Sequence, residues 1–212
     1  MLGLGLIGSA ALLVLGLSGQ WGDPLLQAWV AVFAAMVVLA LSIVPHDTMT
    51  ARVKGGPAGA DPISPFIFRS LVIGHLVAGA LDARWHWSDG VPAEWRIVGL
   101  GLFAAAMSFG LWAVSVNRFF IPAVRIQAER GHQLVTSGPY GWVRHPGYAG
   151  IFWAMPASGL ALGSWTAFAL GLAFAVFVLR RARLEDRFVM ANLAGYSDYA
   201  ARVRYRLLPG VW

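Results

Sequence analysis

The 212-residue sequence predicts an all-α protein: a polytopic membrane helical bundle of four spans, followed by a C-terminal helical hairpin and a cytoplasmic tail helix. Composition is the first observation behind this. Apolar residues make up 58% of the chain, charged residues 12%, and mean hydropathy is +0.65, whereas soluble domains average about 25% charged residues. The second is that the apolar residues form runs of membrane-helix length. So short a chain cannot bury this much apolar surface in a water-soluble core, which excludes a soluble single-domain enzyme.

The four predicted spans occupy the first half of the chain. Residues 2–17 carry no charge and no basic leader precedes them, so they are predicted to be a retained first span. Residues 25–44 are almost purely aliphatic between Pro24 and Pro45, and a helix of that length matches one hydrocarbon thickness. The third and fourth spans are predicted at residues 66–81 and 97–116, with a polar loop over residues 46–65.

The second half of the chain is organised differently. Two shorter apolar runs, residues 148–162 and 165–179, are separated by Gly163 and Ser164 and predict a tight helical hairpin. The chain is polar and charged from Arg180 onward and is predicted to be helical as far as Pro209. We therefore divide it into N-terminal transmembrane helices, residues 1–116, and a polar half, residues 117–212.

Basic residues are unevenly placed along the chain. Residues 118–212 hold 11 of the 16, and the loop between the second and third spans, with Arg69, brings that side to 14. Cytoplasmic loops are rich in Lys and Arg, so both termini and the polar half are predicted to be cytoplasmic. The net charge of +6 is then a topology signal, and no nucleic-acid partner is expected. Fifteen Arg against one Lys, with abundant Ala and Gly, is typical of a high-GC bacterial genome and indicates the bacterial inner membrane.

Two polar segments lie on the predicted cytoplasmic side. Residues 128–150 (AERGHQLVTSGPYGWVRHPGYAG) are interrupted by Gly-Pro and His-Pro pairs, and non-helical backbone near a membrane needs protein or a polar cavity around it. Residues 180–187 (RRARLEDR) place Glu185 and Asp186 among arginines. The hairpin returns to the same face, so the two segments are predicted to form one polar pocket. The alternatives are an interfacial turn with a structural His145 and a solvated helix with i,i+3 and i,i+4 ion pairs.

Metal and thiol chemistry have no support in the sequence. The chain contains no cysteine, and its histidines and acids show no metal-ligand spacing, so no metal site is predicted. His75 in the third span and Asn117 at the end of the fourth are further candidates for function. A structural hydrogen bond is an equal alternative for each of them.

The ordered combination VTSGPYGWVRHPGYAG, RRARLEDR and GYSDYAARVRYRLLPGVW resembles the isoprenylcysteine carboxyl methyltransferase and phospholipid methyltransferase superfamily. The resemblance covers residues 117–212. It implies an integral membrane methyltransferase that uses S-adenosylmethionine as its cofactor. Carried over position by position, it assigns to cofactor binding Gln127, His132, Gln133, Leu134, Val135, Tyr140, His145, Pro146, Gly147, Tyr148, Glu185 and Asp186.

The resemblance also implies catalytic roles and an acceptor. Arg181 is expected to orient the substrate, and Glu185 is expected to be catalytic as well as cofactor-binding. Trp142 is a further candidate for packing on adenine. The expected acceptor is lipophilic: a carboxylate, thiol or amine of a lipid or isoprenoid-like molecule that enters from the bilayer among membrane lipids. Two alternatives remain, a non-catalytic membrane transporter or lipid-binding protein of the same fold, and a related membrane reductase. The oligomeric state is left open.

Overall fold

The computed structural model describes residues 2–54, 61–88 and 90–212, with the side chains of residues 2–6 and 52–54 excepted. Throughout these ranges the regular elements are helices, which confirms the predicted all-helical class. In chain order the α-helices are α1 (Leu2–Ala11, continued by a π-helical turn Leu12–Gly16), α2 (Pro24–Ile43), α3 (His46–Lys54), α4 (Ser64–Trp85), α5 (Ala93–Val116), α6 (Pro146–Ala161), α7 (Trp165–Asn192) and α8 (Tyr196–Arg202). Two short 3-10 helices, Ala128–Arg130 and Gly138–Gly141, lie between α5 and α6.

Three of these helices are long and apolar enough to cross a membrane, namely α2, α4 and α5. The apolar part of α1 and its π-helical turn is shorter. The predicted total of four spans therefore stays a prediction, whereas three membrane-length helices are observed in the described part of the chain.

Helix ends follow from local sequence. The Asp23 carboxylate accepts hydrogen bonds from the backbone amides of Leu25 and Leu26 at the start of α2, with Pro24 as its first residue. The Ser164 hydroxyl accepts from the Ala167 amide, 2.9 Å away, at the start of α7. Both caps lie at the end of the bundle opposite the polar half's loops.

Helix α6 packs between α5 and α7 through glycine contacts. A Cβ on Gly150 would lie 2.7 Å from the Gly110 Cα of α5, and a Cβ on Gly171 would lie 2.7 Å from the Met155 carbonyl carbon of α6. Only glycine permits such approach, and small residues are typical of helix contacts within membranes. The tight packing fixes where α6 begins and where the charged part of α7 lies.

His75 is buried inside the bundle, at 1% exposure. Its Nε2 lies 3.1 Å from the Ser158 hydroxyl of α6, which also accepts a hydrogen bond from the Trp29 indole N–H. This geometry supports the structural alternative for His75, a hydrogen bond that joins neighbouring helices.

Two stretches differ from the sequence prediction. Residues 46–54 form α3 instead of a loop: their polarity reflects exposure, and Thr48 attaches the helix by donating to the Arg118 carbonyl. Helix α7 is 28 residues long and continues past Arg180 to Asn192, because no Pro or Gly interrupts residues 180–192. The tail is therefore the last turns of α7, the short α8 and a non-helical segment, rather than one helix as far as Pro209.

Candidate functional site

A cleft opens at the end of the bundle where α6 begins. It encloses about 90 Å³, or about 790 Å³ when the open space at its mouth is included. Its walls come from the segment after α5, residues 132–135, the first turn of α6, the charged part of α7 and the start of α8. The lining residues are Asn117, Phe119, Phe120, Ile121, Ala123, Val124, Arg125, His132, Gln133, Leu134, Val135, Tyr140, Arg144, His145, Gly147, Tyr148, Glu185, Val189, Leu193 and Tyr196.

The cleft brings together most of the residues predicted for the cofactor. His132, Gln133, Leu134, Val135, Tyr140, His145, Gly147, Tyr148 and Glu185 all line it. Four predicted site residues do not: Gln127, Pro146, Arg181 and Asp186. Pro146 is the buried first residue of α6, and the other three are committed to hydrogen bonds behind the cleft wall.

Arg181 is 4% exposed and lies beside the cleft. Its Nε donates to the Tyr148 hydroxyl at 3.0 Å, its Nη1 to the Asp61 carboxylate at 3.0 Å, and its Nη2 to the Pro122 carbonyl. The Tyr148 hydroxyl in turn donates to Glu185 Oε2 at 2.7 Å. All three nitrogens of the guanidinium are thus engaged, and the contact that reaches the cleft is the one to Tyr148.

Asp186 is 2% exposed and forms the centre of a buried cluster. Arg144 donates to both of its oxygens at 2.9 and 3.1 Å, and His145 Nε2, the Tyr196 hydroxyl and Arg206 Nε lie within 3.1 Å. Burial alone would raise the pKa of Asp186, but the hydrogen bonds from His145, Arg144 and Arg206 hold it well below its usual range. The carboxylate therefore stays charged and orients the Arg-His pair from behind.

The C-terminal segment completes this wall of the cleft. The backbone amides of Arg144 and His145 donate to the carbonyls of Tyr205 and Arg206, each at 2.9 Å. The Tyr199 hydroxyl donates to the Tyr140 carbonyl at 2.7 Å. The tyrosines and arginines of the tail therefore hold the RHPGY turn in place.

His132 and Gln127 shape the opposite wall. The His132 ring stacks on Phe119 with 4.5 Å between centroids, and its Nδ1 accepts from the Gln127 backbone amide at 3.2 Å. The Gln127 side chain is buried between the Phe119 carbonyl and Arg130. Burial lowers the pKa of His132, so the ring is neutral at pH 7 with its lone pair on Nδ1.

Helix α3 supports this wall from the N-terminal half of the chain. Asp47 accepts from Arg130 at 2.8 Å and from Arg118 at 3.3 Å. Because Arg130 also donates to the Gln127 side chain, two successive hydrogen bonds join α3 to Gln127 behind the cleft wall.

Sequence reasoning anticipated some of the remaining lining residues and missed others. Asn117 was a candidate, and its amide donates to the Tyr140 hydroxyl at 3.0 Å while its oxygen accepts from the Phe119 amide. Arg125 and Tyr196 also line the cleft, although no motif marked the first of them. Trp142, expected near adenine, instead stacks on Phe109 and is 59% exposed.

The cleft combines aromatic rings with groups of both charges. Aromatic rings (Phe119, Phe120, Tyr140, Tyr148 and Tyr196), a partly buried carboxylate (Glu185) and an arginine (Arg125) surround a space open to solvent. Such a set binds a flat heterocycle together with a small charged group. No group of three or more His, Asp or Glu side chains within the described ranges is placed to hold a metal ion.

Comparison with known sequences identifies a family. The sequence profile of the isoprenylcysteine carboxyl methyltransferase (ICMT) family matches residues 96–191. The cobalt-zinc-cadmium resistance protein CzcN of Cupriavidus metallidurans is 30% identical over 138 residues, which are 65% of this chain and 56% of that protein. A probable protein-S-isoprenylcysteine O-methyltransferase of Oryza sativa subsp. indica is 32% identical over 95 residues, 44% of this chain and 50% of that protein. The chain thus spans about half the length of these two relatives.

Comparison with solved structures identifies the fold. The eukaryotic intramembrane Ras methyltransferase ICMT superimposes with a TM-score of 0.63 and 19% identity, over 97% of this chain and 74% of that one. Three of the described helices are long and apolar enough to cross a membrane, and the shared fold is that of an intramembrane protein. Together these two observations support an integral membrane protein.

Proposed function

Since the chain belongs to the isoprenylcysteine carboxyl methyltransferase superfamily, we propose that it is an integral membrane methyltransferase that uses S-adenosylmethionine and methylates a lipophilic acceptor. The observation that carries the proposal is the cleft itself. The resemblance assigns twelve residues to the cofactor. Nine of them, which lie between His132 and Glu185 in the sequence, line one continuous space.

The lining suits the proposed cofactor chemically. S-adenosylmethionine carries an adenine, ribose hydroxyls, an ammonium and a carboxylate. Glu185 is the carboxylate placed to hold the ammonium or the hydroxyls, and Phe119, Tyr140 and Tyr196 present rings for the adenine. When bound, the cofactor supplies a methyl group on a sulfonium, which an acceptor takes by in-line displacement.

The protein's own contribution is to position the reactants. Tyr148 is fixed by Arg181 on one side and by Glu185 on the other. His145 is fixed by Asp186 through its Nε2. Locked side chains of this kind keep reacting groups in a productive geometry, which supplies much of the rate in a displacement reaction. We therefore assign Arg181 and Asp186 to positioning, in place of the direct contacts that the resemblance implied.

An apolar groove supports a lipophilic acceptor. It lies between α2, α5 and α6, measures about 800 Å³ with its open side, and shares Phe120 and Gly147 with the cleft. Its other lining residues are Met36, Val37, Ala40, Val44, Met49, Ala106, Met107, Gly110, Leu111, Val114, Gly150 and Ile151. Along α5 the groove extends from residue 106 to residue 114, about 12 Å at a rise of about 1.5 Å per residue. That is nearly the depth of one leaflet of a hydrocarbon core about 30 Å thick, so an apolar tail fits in the groove with its head in the cleft.

Radiolabelled methyl transfer tests the proposal. Membranes containing the protein, supplied with methyl-labelled S-adenosylmethionine and a total lipid and small-molecule extract, should give labelled lipophilic product. Val37→Trp should reduce this labelling because it fills the groove, whereas Val38→Trp, on the 56% exposed neighbouring position, should not. Label found only in protein would overturn the lipid acceptor. A non-catalytic lipid-binding protein or a nicotinamide-dependent reductase of the same fold would give no label at all.

A further inference from the structure

Arg125 is a cleft-lining arginine that the superfamily motifs do not include. Its side chain is only 18% exposed, and Nη1 pairs with Glu129 Oε1 at 2.7 Å. Glu129 itself is 56% exposed. The Arg125 Nε is buried and has no hydrogen-bond partner among the described residues.

A buried charged donor without a partner is unfavourable, and nearly all such groups in folded proteins are paired. The Nε edge of a guanidinium is one of the edges that a carboxylate binds with two parallel hydrogen bonds. Since Arg125 lines the cleft, its unpaired Nε indicates an anionic group of a bound molecule as the missing partner.

The other cations near the cleft are already engaged. Arg144 pairs with both oxygens of Asp186 and with the carbonyls of Val203 and Arg204. Arg181 uses all three guanidinium nitrogens behind the wall. Among the described lining residues, Arg125 is therefore the cation that retains a free buried donor.

Arg125 and Glu185 line the same cleft, and the charges of both act on His132. Burial lowers the pKa of His132, the negative charge of Glu185 raises it, and the positive charges of Arg130 and Arg125 lower it. A cation and a carboxylate near one histidine suit a zwitterion, whose carboxylate and ammonium are attached to the same carbon.

We propose that Arg125 is the carboxylate-binding residue of the cleft. This inference rests on the proposed function. Two sources supply the same chemistry: the methionine carboxylate of S-adenosylmethionine and a carboxylate on the methyl acceptor. Glu185, a carboxylate that lines the same cleft, favours the cofactor as the source.

Calorimetric titration of the detergent-purified protein separates these sources. The ligands are S-adenosylhomocysteine and its decarboxylated analogue; the variants are Arg125→Gln, Arg125→Lys and the exposed control Arg187→Gln. If Arg125 binds the cofactor carboxylate, Arg125→Gln weakens S-adenosylhomocysteine binding by about ten- to a hundred-fold, the usual effect of losing a hydrogen bond to a charged group. Binding of the decarboxylated analogue stays unchanged, which also shows that the variant is folded. Arg125→Lys should lie between wild type and Arg125→Gln, and Arg187→Gln should match wild type.

If the acceptor supplies the carboxylate, Arg125→Gln leaves both affinities unchanged and raises KM for a carboxylate acceptor but not for a thiol acceptor. Equal weakening of both ligands overturns the inference, since Arg125 would then act on the fold. The inference is also overturned if Arg125→Gln changes neither the affinities for the two ligands nor the KM for a carboxylate acceptor. Wild-type protein that binds neither ligand would instead overturn the proposed function.

Discussion

The Arg181 guanidinium joins three separate parts of the chain at the edge of the cleft. It bonds Asp61 before α4, Pro122 after α5 and Tyr148 in α6. Asp61 lies outside residues 96–191, to which the family profile matches. A residue of the N-terminal half therefore helps to fix Tyr148, and through it Glu185.

We expect Asp61→Asn to lower kcat about 10- to 100-fold, the scale of effect that follows from displacing a positioned group by about 1 Å. KM for the cofactor should change much less, because Asp61 does not line the cleft. Steady-state kinetics of methyl transfer measure both constants. Asp61→Glu should restore part of kcat and the exposed Asp198→Asn should behave as wild type; kcat equal to wild type in Asp61→Asn would contradict the positioning role.

The neutral state of His132 predicts a pH dependence of stability. Burial lowers its pKa in the folded protein, so the unfolded chain binds a proton more readily near its ordinary value of 6.5. The contribution of neutral His132 to the free energy of unfolding is present above pH 6.5. It is lost as pH falls from about 7 toward the lower pKa of His132 in the folded protein. Asp186 titrates in a separate window, because its folded pKa is depressed and its contribution is lost only under more acidic conditions.

Thermal unfolding in detergent should therefore show Tm falling between pH 7.5 and 5.5, with a smaller fall in His132→Gln. His46→Gln, at an exposed position of α3, is the matched control and should keep the wild-type pH profile. Identical profiles for wild type and His132→Gln would contradict the assignment of a neutral ring.

At the scale of elements, glycine contacts decide how α5, α6 and α7 pack. We expect Gly150→Ala to destabilise the protein by about 1–3 kcal/mol, the usual cost of overpacking, because its Cβ would lie 2.7 Å from Gly110 Cα and 2.8 Å from the Ala106 carbonyl oxygen. Gly101→Ala on α5 is the control, since a Cβ there meets nothing within 4 Å and alanine favours helix. Thermal denaturation in detergent should show a lower Tm for Gly150→Ala alone. Equal Tm values for the two variants would argue against close backbone packing.

The elements themselves were largely predictable from the sequence. Long apolar runs bounded by Pro24, Pro45 and Gly163 mark helices without reference to anything distant. Polarity was a poorer guide, because it predicted a loop where α3 forms and a separate tail helix where α7 continues. An exposed polar stretch can still form a helix, and α3 is held by contacts with distant residues, the Thr48 hydrogen bond to the Arg118 carbonyl and the Asp47 ion pairs with Arg118 and Arg130.

The site was predictable only where a motif marked it. The HQLV and RHPGY residues were placed by resemblance, whereas the Arg181–Asp61 pair joins positions 120 residues apart. Sequence periodicity and motif spacing do not predict a contact between residues so far apart in the chain. Arg125 was missed for a similar reason: what distinguishes it is one unpaired atom in the folded cleft.

For the whole molecule, the distribution of basic residues predicts that the cleft faces the cytoplasm. Because the chain contains no cysteine, single cysteines report this directly. A membrane-impermeant maleimide added to intact cells should label Trp87→Cys, which lies between α4 and α5, and should label Asp198→Cys of α8 only after lysis. The reverse pattern would contradict the orientation and place the cleft outside.

Calorimetric titration of the purified protein with S-adenosylhomocysteine tests whether the cleft binds S-adenosylmethionine. We predict one binding site per chain, with affinity reduced about ten- to a hundred-fold in Glu185→Gln by loss of the charged hydrogen-bond acceptor, and unchanged in the exposed Asp198→Asn. No heat of binding in the wild-type protein, or the same affinity in Glu185→Gln, would contradict the account.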